Sequence, residues 1–231
     1  MKRTAYILFI FLFGCNLLFA QQRTTVKVKS ETTYDKILPL EMMREFNDYK
    51  NGCVYYKNGS VTNSSFNYNL VTGAVLFKNK DGKELELAFP EHITMVMIDN
   101  GYWVPINGGY GKIIYNKDSL DLIKFRATRC TEIRKEGAFG AASSTSAITS
   151  VSSIQSSSNN SRQPLAVVGE YDFEVEVTYF IKMGDNVVEA NAKGIKKMFP
   201  KSKNSISNMI KSNNFNLSNE KDIIELLKSL E

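Results

Sequence analysis

From residue 52 to residue 135 the chain alternates between short apolar runs and turn-forming pairs. Asn58-Gly59, Thr72-Gly73, Asp81-Gly82, Asn100-Gly101 and Gly108-Gly109 separate runs rich in Val, Ile, Tyr and Phe. Asn, Asp and Gly reach the positive φ angles of tight hairpin turns at low steric cost, so each pair predicts a chain reversal. The runs cover 53–57, 61–70, 74–78, 84–89, 93–99, 102–106, 112–115 and 120–133. Short strands at this spacing predict an antiparallel meander, closed into a barrel or folded into a sandwich. Lys83 to Leu87 alternates cleanly, which sets Leu85 and Leu87 on one face and Glu84 and Glu86 on the other.

Strand character resumes at Val167 and runs to Met183, and Gly184-Asp185-Asn186 turns the chain into 187–190. Here Glu170, Asp172, Glu174 and Glu176 alternate with Tyr171, Phe173, Val175 and Val177, so the period of two gathers four acids on one face. Near the N-terminus Arg23, Lys27 and Lys29 share a face, with Val26 and Val28 opposite. Opposite charges across strands contribute roughly 0.2–1 kcal/mol per pair, enough to select a neighbour. The basic strand is therefore expected beside the acidic one, with Lys124 and Arg126 as competing partners.

The tail changes period. Pro200 suits the first turn of a helix, Ile206, Met209 and Ile210 fall at helical spacing up to Lys211, and Asn213-Asn214 supply a stop. Ser218 is a good N-cap for a second helix with Glu220 and Asp222 at its positive end, Lys228 at its negative end, and an apolar stripe of Ile223, Leu226, Leu227 and Leu230. The expected architecture is mainly β with α: an antiparallel β domain over 21–193, then a C-terminal helical hairpin over 194–231 packed on it. A further short helix is expected within Leu38–Tyr49, carrying Met42, Met43 and Phe46. From Ser143 to Ser161 ten of nineteen residues are serine and none is charged. Such a stretch buries too little apolar surface to offset its ordering entropy, which predicts a disordered loop over 138–164.

At the N-terminus a basic Met1-Lys2-Arg3 precedes an unbroken apolar run from Tyr6 to Gly14, and Ala20 stands before polar Gln21-Gln22-Arg23. This is the layout of a signal peptide over 1–20, cleaved after Ala20. A lipobox reading of Leu12-Phe13-Gly14-Cys15 is weakened by bulky Phe13 and by the apolar Leu17-Leu18-Phe19 that follows. An uncleaved anchor would need about 20 apolar residues, whereas the run from Ala5 to Ala20 is 16 residues long and contains Asn16. The expectation is an exported protein of the periplasm, the outer membrane or the secreted fraction, with no transmembrane span in the mature chain.

Two sets of residues carry a resemblance. Gly52-Cys53-Val54-Tyr55-Tyr56-Lys57-Asn58-Gly59 followed by Phe66-Asn67-Tyr68-Asn69 resembles the strand-turn-strand motif of exported β-rich proteins from Bacteroidota-type Gram-negative bacteria. Phe199-Pro200-Lys201, Ile206, Asp222-Ile223 and Leu226-Leu227 are similar to the tail of the same group. Those proteins have no assigned activity, so the resemblance implies a compartment and a fold and transfers no functional residue. The serine-rich insert departs from the group's compact pattern.

Composition narrows the chemistry. With 43% hydrophobic and 23% charged residues the chain is ordinarily globular, which excludes whole-chain disorder. The net charge of +5 includes Lys2 and Arg3, and the remaining excess is too small and too scattered to predict a nucleic-acid partner. His92 is the only histidine, so multi-histidine metal sites are excluded and any triad would have to use it. No GxSxG, GxxxxGK[ST] or GxGxxG motif occurs. No catalytic residue, metal or cofactor is therefore predicted. The four-acid face could be a calcium site or a carboxylate-only glycosidase face, but calcium usually draws its ligands from a folded loop, which favours a solvated sheet face. Cys53 and Cys130 each sit in an expected strand; export permits a disulfide between them, and two free buried thiols are the alternative. Asp118-Ser119-Leu120 resembles the O-glycosylation tripeptide of the same bacterial group.

The residues singled out for binding are Tyr102, Trp103 and Tyr110, within the glycine-flanked stretch 100–111. Tyr and Trp present stiff apolar faces with a polar edge, suited to stacking on sugars or gripping a peptide. Neighbours on a strand point to opposite sides, so Tyr102 and Trp103 cannot both enter one core layer. The bland reading makes Trp103 a core plug and Tyr110 a turn residue. The function expected is a non-catalytic envelope protein that binds an unknown envelope protein or glycan through its loops. The alternatives are a carboxylate-dependent glycan or peptidoglycan hydrolase and an accessory subunit of an envelope assembly.

Overall fold

The computed structural model describes residues 23–29, 32–136, 142–143, 164–165 and 169–230. The expected signal peptide lies outside the described residues, as does most of the serine-rich segment 138–164.

Each turn-forming pair falls between strands or, for Asn100-Gly101 and Gly108-Gly109, at the start of one. The strands are β1 (Arg23–Val28), β2 (Thr32–Thr33), β3 (Lys50–Tyr56), β4 (Val61–Tyr68), β5 (Val75–Lys78), β6 (Glu84–Glu86), β7 (Ile93–Ile98), β8 (Gly101–Ile106), β9 (Gly109–Lys117), β10 (Leu120–Glu136), β11 (Ala142–Ser143), β12 (Pro164–Leu165), β13 (Gly169–Met183) and β14 (Asn186–Glu189). Gly59, Gly73, Gly82 and Gly108 hold φ between 72° and 83°, which β-carbon-bearing residues rarely adopt. The turns into β8 and β10 instead use Asp99 and Asp118 at φ 53°.

The main sheet runs β1-β13-β10-β9-β8-β7-β3-β4-β5-β6, antiparallel throughout, with β11 on β10 and β14 on β13; β12 pairs separately with β2. The path is open, ending at β1 and β6, so the sheet is not a closed barrel. The meander is broken where β7 returns to pair with β3 instead of β6, and beyond β10 the sheet continues through β13 to the N-terminal β1. Hydrogen bonds from Thr128 N–H to Leu70 O (2.8 Å) and from Tyr110 N–H to Gly73 O (3.0 Å) tie the turn after β4 to β10 and β9.

The basic strand does lie beside the acidic one: β1 pairs with β13 in the register Arg23↔Glu174, Thr25↔Asp172 and Lys27↔Glu170. The residues opposite, Val28, Tyr171, Phe173 and Val175, form a buried cluster with Tyr34, Leu38 and Met42. The helix expected within 38–49 is reduced to one turn, α2 (Leu40–Met43), which leaves Phe46 outside it because Arg44 is already extended; a separate turn, α1 (Tyr34–Ile37), precedes it and stops before Pro39.

The C-terminal region is helical, with three helices in place of the expected two: α3 (Ala192–Met198), α4 (Lys203–Ser212) and α5 (Glu220–Ser229), with a 3-10 turn over Pro200–Ser202. The α3 helix carries one buried residue, Ile195, too few for a recognisable stripe. It is capped by Asn191, and Gly194 lets it sit so close that a β-carbon there would stand 1.9 Å from Glu189 O. Asn219, not Ser218, caps α5, accepting from the backbone of Lys221 and Asp222. Ile195, Ile206, Ile223, Leu226 and Leu227 close over Leu120, Leu122, Tyr179 and Ile181 of the sheet. Each such side chain contributes roughly 1.5–3 kcal/mol on full burial, so the tail is part of the core.

Candidate functional site

On β8 the alternation of sides divides the aromatic residues singled out from the sequence. Trp103 is 2% exposed and packs on Tyr68, ring centroids 4.7 Å apart, among Val54, Phe66, Val96 and Ile98. Tyr110 belongs to the same cluster and is equally buried. Tyr102, one residue before Trp103, points the other way and is 46% exposed. A ligand at the surface would therefore meet Tyr102 and neither of the other two. Trp103 Nε1 and the Tyr110 hydroxyl are buried without a hydrogen-bond partner, and burial pushes the Tyr110 phenol well above its usual range.

The register surrounds Tyr102 with residues that sequence inspection did not select. Tyr102 pairs with Met97 on β7, Met97 pairs with Cys53 on β3, and Cys53 pairs with Asn63 on β4. Two residues further along β3, on the same face, Tyr55 pairs with the exposed Val61. Hydrogen bonding with the Cys53 thiol pushes the Tyr55 phenol up, and the nearby Tyr102 adds to the shift. Met97 also lines an open depression of about 930 Å³, bounded by Asn51, Asn63, Ser65, Lys78, Lys80 and Asp99. The arrangement offers two phenols and a thioether beside amides, hydroxyls, two cations and one carboxylate.

The possible disulfide is not formed: Cys53 and Cys130 are both free thiols. They lie on β3 and β10 with β7, β8 and β9 between them, and adjacent strands stand about 4.8 Å apart, whereas bridged α-carbons lie within about 7 Å. Burial raises the Cys130 thiol to about 11.

The acids of β13 are bound up with arginines. Arg134 reaches Asp172 through two hydrogen bonds (2.6 and 2.8 Å) and also lies 3.0 Å from Glu132 and 3.5 Å from Glu170. Arg23 binds Glu174 at 2.6 Å and Arg129 lies 3.4 Å from Glu176. The competing cations named from the sequence go elsewhere, Lys124 to Glu220 and Arg126 to Glu45. Hydrogen bonds from Arg134, aided by Thr25, hold the Asp172 carboxyl below the usual carboxylate range. Among the described residues no group of three or more His, Cys, Asp or Glu side chains could hold a metal ion. His92 lies exposed on a 3-10 turn over Pro90–His92, 3.9 Å from Glu91.

Among the described residues no helix is long and apolar enough to cross a membrane. Comparison with family models, with curated proteins and with solved structures finds no match to this chain.

Tyr55, Met97 and Val61 were missed because their grouping depends on β7 pairing with β3. That contact skips three intervening strands in sequence, and no local pattern announces it. The nearest usable signal is the alternation in 53–57, which gives Cys53 and Tyr55 a common face.

Proposed function

We propose that this is a non-catalytic exported protein of the cell envelope that binds a glycan or a partner protein through the outward face of β3, β4, β7 and β8. The observation that carries the reading is Tyr102, a large aromatic residue 46% exposed on a strand whose next residue is core, paired with Met97 at the rim of an open depression. Phenol faces stack on the apolar face of a sugar ring, while amides and hydroxyls such as those of Asn51, Asn63 and Ser65 exchange hydrogen bonds with its hydroxyls. This chemistry favours a glycan over a protein. It also favours binding over hydrolysis, because glycoside cleavage by carboxylates needs two acids and Asp99 is the one that lines the depression. Export rests on the N-terminal layout of residues 1–20.

A photo-crosslinking residue at position 102, in protein expressed in its native envelope, tests the reading. A crosslinked envelope glycan at 102, and none from the exposed Val187 position on β14, is the expected result. No adduct at 102, or equal adducts at both positions, would overturn it, and a single crosslinked protein would shift it to an accessory subunit.

A further inference from the structure

Between Ala190 and Asn219 the chain carries six lysines (Lys193, Lys196, Lys197, Lys201, Lys203 and Lys211) and no aspartate or glutamate. The lack of any acid sets this stretch apart, since lysines elsewhere such as Lys36, Lys57 and Lys83 also make no ion pair among the described residues, whereas the arginines are matched. Every described arginine is in an ion pair: Arg23 with Glu174, Arg44 with Glu84, Arg126 with Glu45, Arg129 with Glu176 and Arg134 with Asp172. The six tail lysines make no ion pair among the described residues, and all but the half-buried Lys196 are exposed.

Helix stability explains only half of their placement: Lys196 and Lys197 stand in the last turn of α3 and Lys211 in that of α4, where the dipole favours a cation. In α3, Lys193, Lys196 and Lys197 are spaced i, i+3 and i+4 and so share one face, while Ile195 anchors the opposite side in the core. Neither α3 nor α4 has an acid in its first turn, and Lys193 and Lys203 stand there, at the helix end where the dipole disfavours a cation. The α5 helix follows the dipole instead, with Glu220 and Asp222 first and Lys228 last. The fold thus sets three lysines on the outward face of α3, followed in the chain by Lys201 and Lys203, and none of them is ion-paired among the described residues.

We propose that α3 and the start of α4 form an electrostatic docking surface for an anionic lipid bilayer, with the lysine ammonium groups set against lipid phosphates. Lysine suits this role, being a point charge on a long flexible stem matched to a diffuse field of headgroups, whereas bidentate recognition of a single phosphate uses arginine. A single-stranded nucleic acid would call for exposed stacking rings, and the aromatic residues of this stretch, Phe199 and Phe215, are not exposed. The surface is separate from the Tyr102 face and does not depend on what binds there.

Flotation of the full chain with equimolar phosphatidylglycerol–phosphatidylcholine vesicles, against pure phosphatidylcholine vesicles, tests the proposal. Binding to the anionic vesicles in excess of the neutral ones is expected at about 50 mM salt and should vanish at about 500 mM, where screening is short-ranged. A basic residue beside such a surface strengthens partitioning about fivefold, so Lys193→Gln/Lys196→Gln/Lys197→Gln together should weaken the excess roughly 100-fold. Lys36→Gln/Lys57→Gln/Lys83→Gln, exposed lysines outside the tail, should leave it unchanged, with circular dichroism confirming intact helices in both variants. Equal binding to neutral vesicles, no loss in the α3 variant, or capture by soluble heparin without vesicle binding would overturn the proposal, the last assigning the surface to a polyanion.

Discussion

Two stretches of the same sheet use their outward side chains in opposite ways. On β13, Glu170, Asp172 and Glu174 are held by Arg134 and Arg23, with Arg129 beside Glu176, so the charged groups complete one another across strands. On β3, β7 and β8 the outward groups are Tyr55, Met97 and Tyr102, none of which has an ionic partner, beside a depression open to solvent. The first surface fixes the register of β1 and has few polar groups left for a ligand. Tyr102 itself adds little to stability, being 46% exposed, although Val104 and Ile106 further along the same side of β8 are buried in a core cluster of their own. Exposed aromatic area that does not support the fold is area available for recognition.

The sharpest way to break this division is at residues 102 and 103. Trp103→Ala should cost about 3–5 kcal/mol, as expected for emptying a buried aromatic site. Tyr102→Ala should change stability by no more than about 0.5 kcal/mol. Urea denaturation of both variants checks the contrast, and similar losses would show that the two sides of β8 are not different in kind.

A smaller effect is expected at the ionic end, and it depends on pH. Arg134 holds the Asp172 carboxyl below its ordinary value, so the folded state binds that proton more weakly than the unfolded chain does. The contribution is therefore present above the ordinary carboxylate range and lost as pH falls through the depressed folded value. Asp172→Asn should lower the urea midpoint at about pH 7 and leave it nearly unchanged at about pH 2. An equal decrease at both would mean that the residue acts through packing.

The smallest effect has an unusual sign. Because the Tyr110 hydroxyl is buried without a partner, Tyr110→Phe should leave stability unchanged or raise it by up to about 1 kcal/mol. A clear loss in thermal melts would mean that the hydroxyl is hydrogen-bonded in solution.

Much of the fold was legible locally. Hairpin turns announce themselves through Asn, Asp and Gly, and the alternation of charge along 170–176 and 23–29 was sufficient to pair β1 with β13. The α5 stripe was legible for the same reason, its apolar residues being close in sequence. What escaped depended on distant or slight signals: the return of β7 to β3, and α3, a seven-residue helix anchored by Ile195 and admitted by Gly194. Trp103 and Tyr110 belong to the core on one side of β8, while the other side is exposed at Tyr102 and buried at Val104 and Ile106, so which ring faces outward depends on where that second cluster ends. The partners of Tyr102 come from three other strands, so the surface around it could be assembled only once the register was known.

The central claim is that the Tyr102 face binds an envelope glycan, and calorimetric titration with soluble cell-wall glycan fragments tests it most directly. Saturable binding to the unaltered protein is expected and, for Tyr102→Ala, an affinity at least about tenfold weaker with an unchanged melting temperature. Equal affinity in the two proteins, or no binding to either, would contradict it.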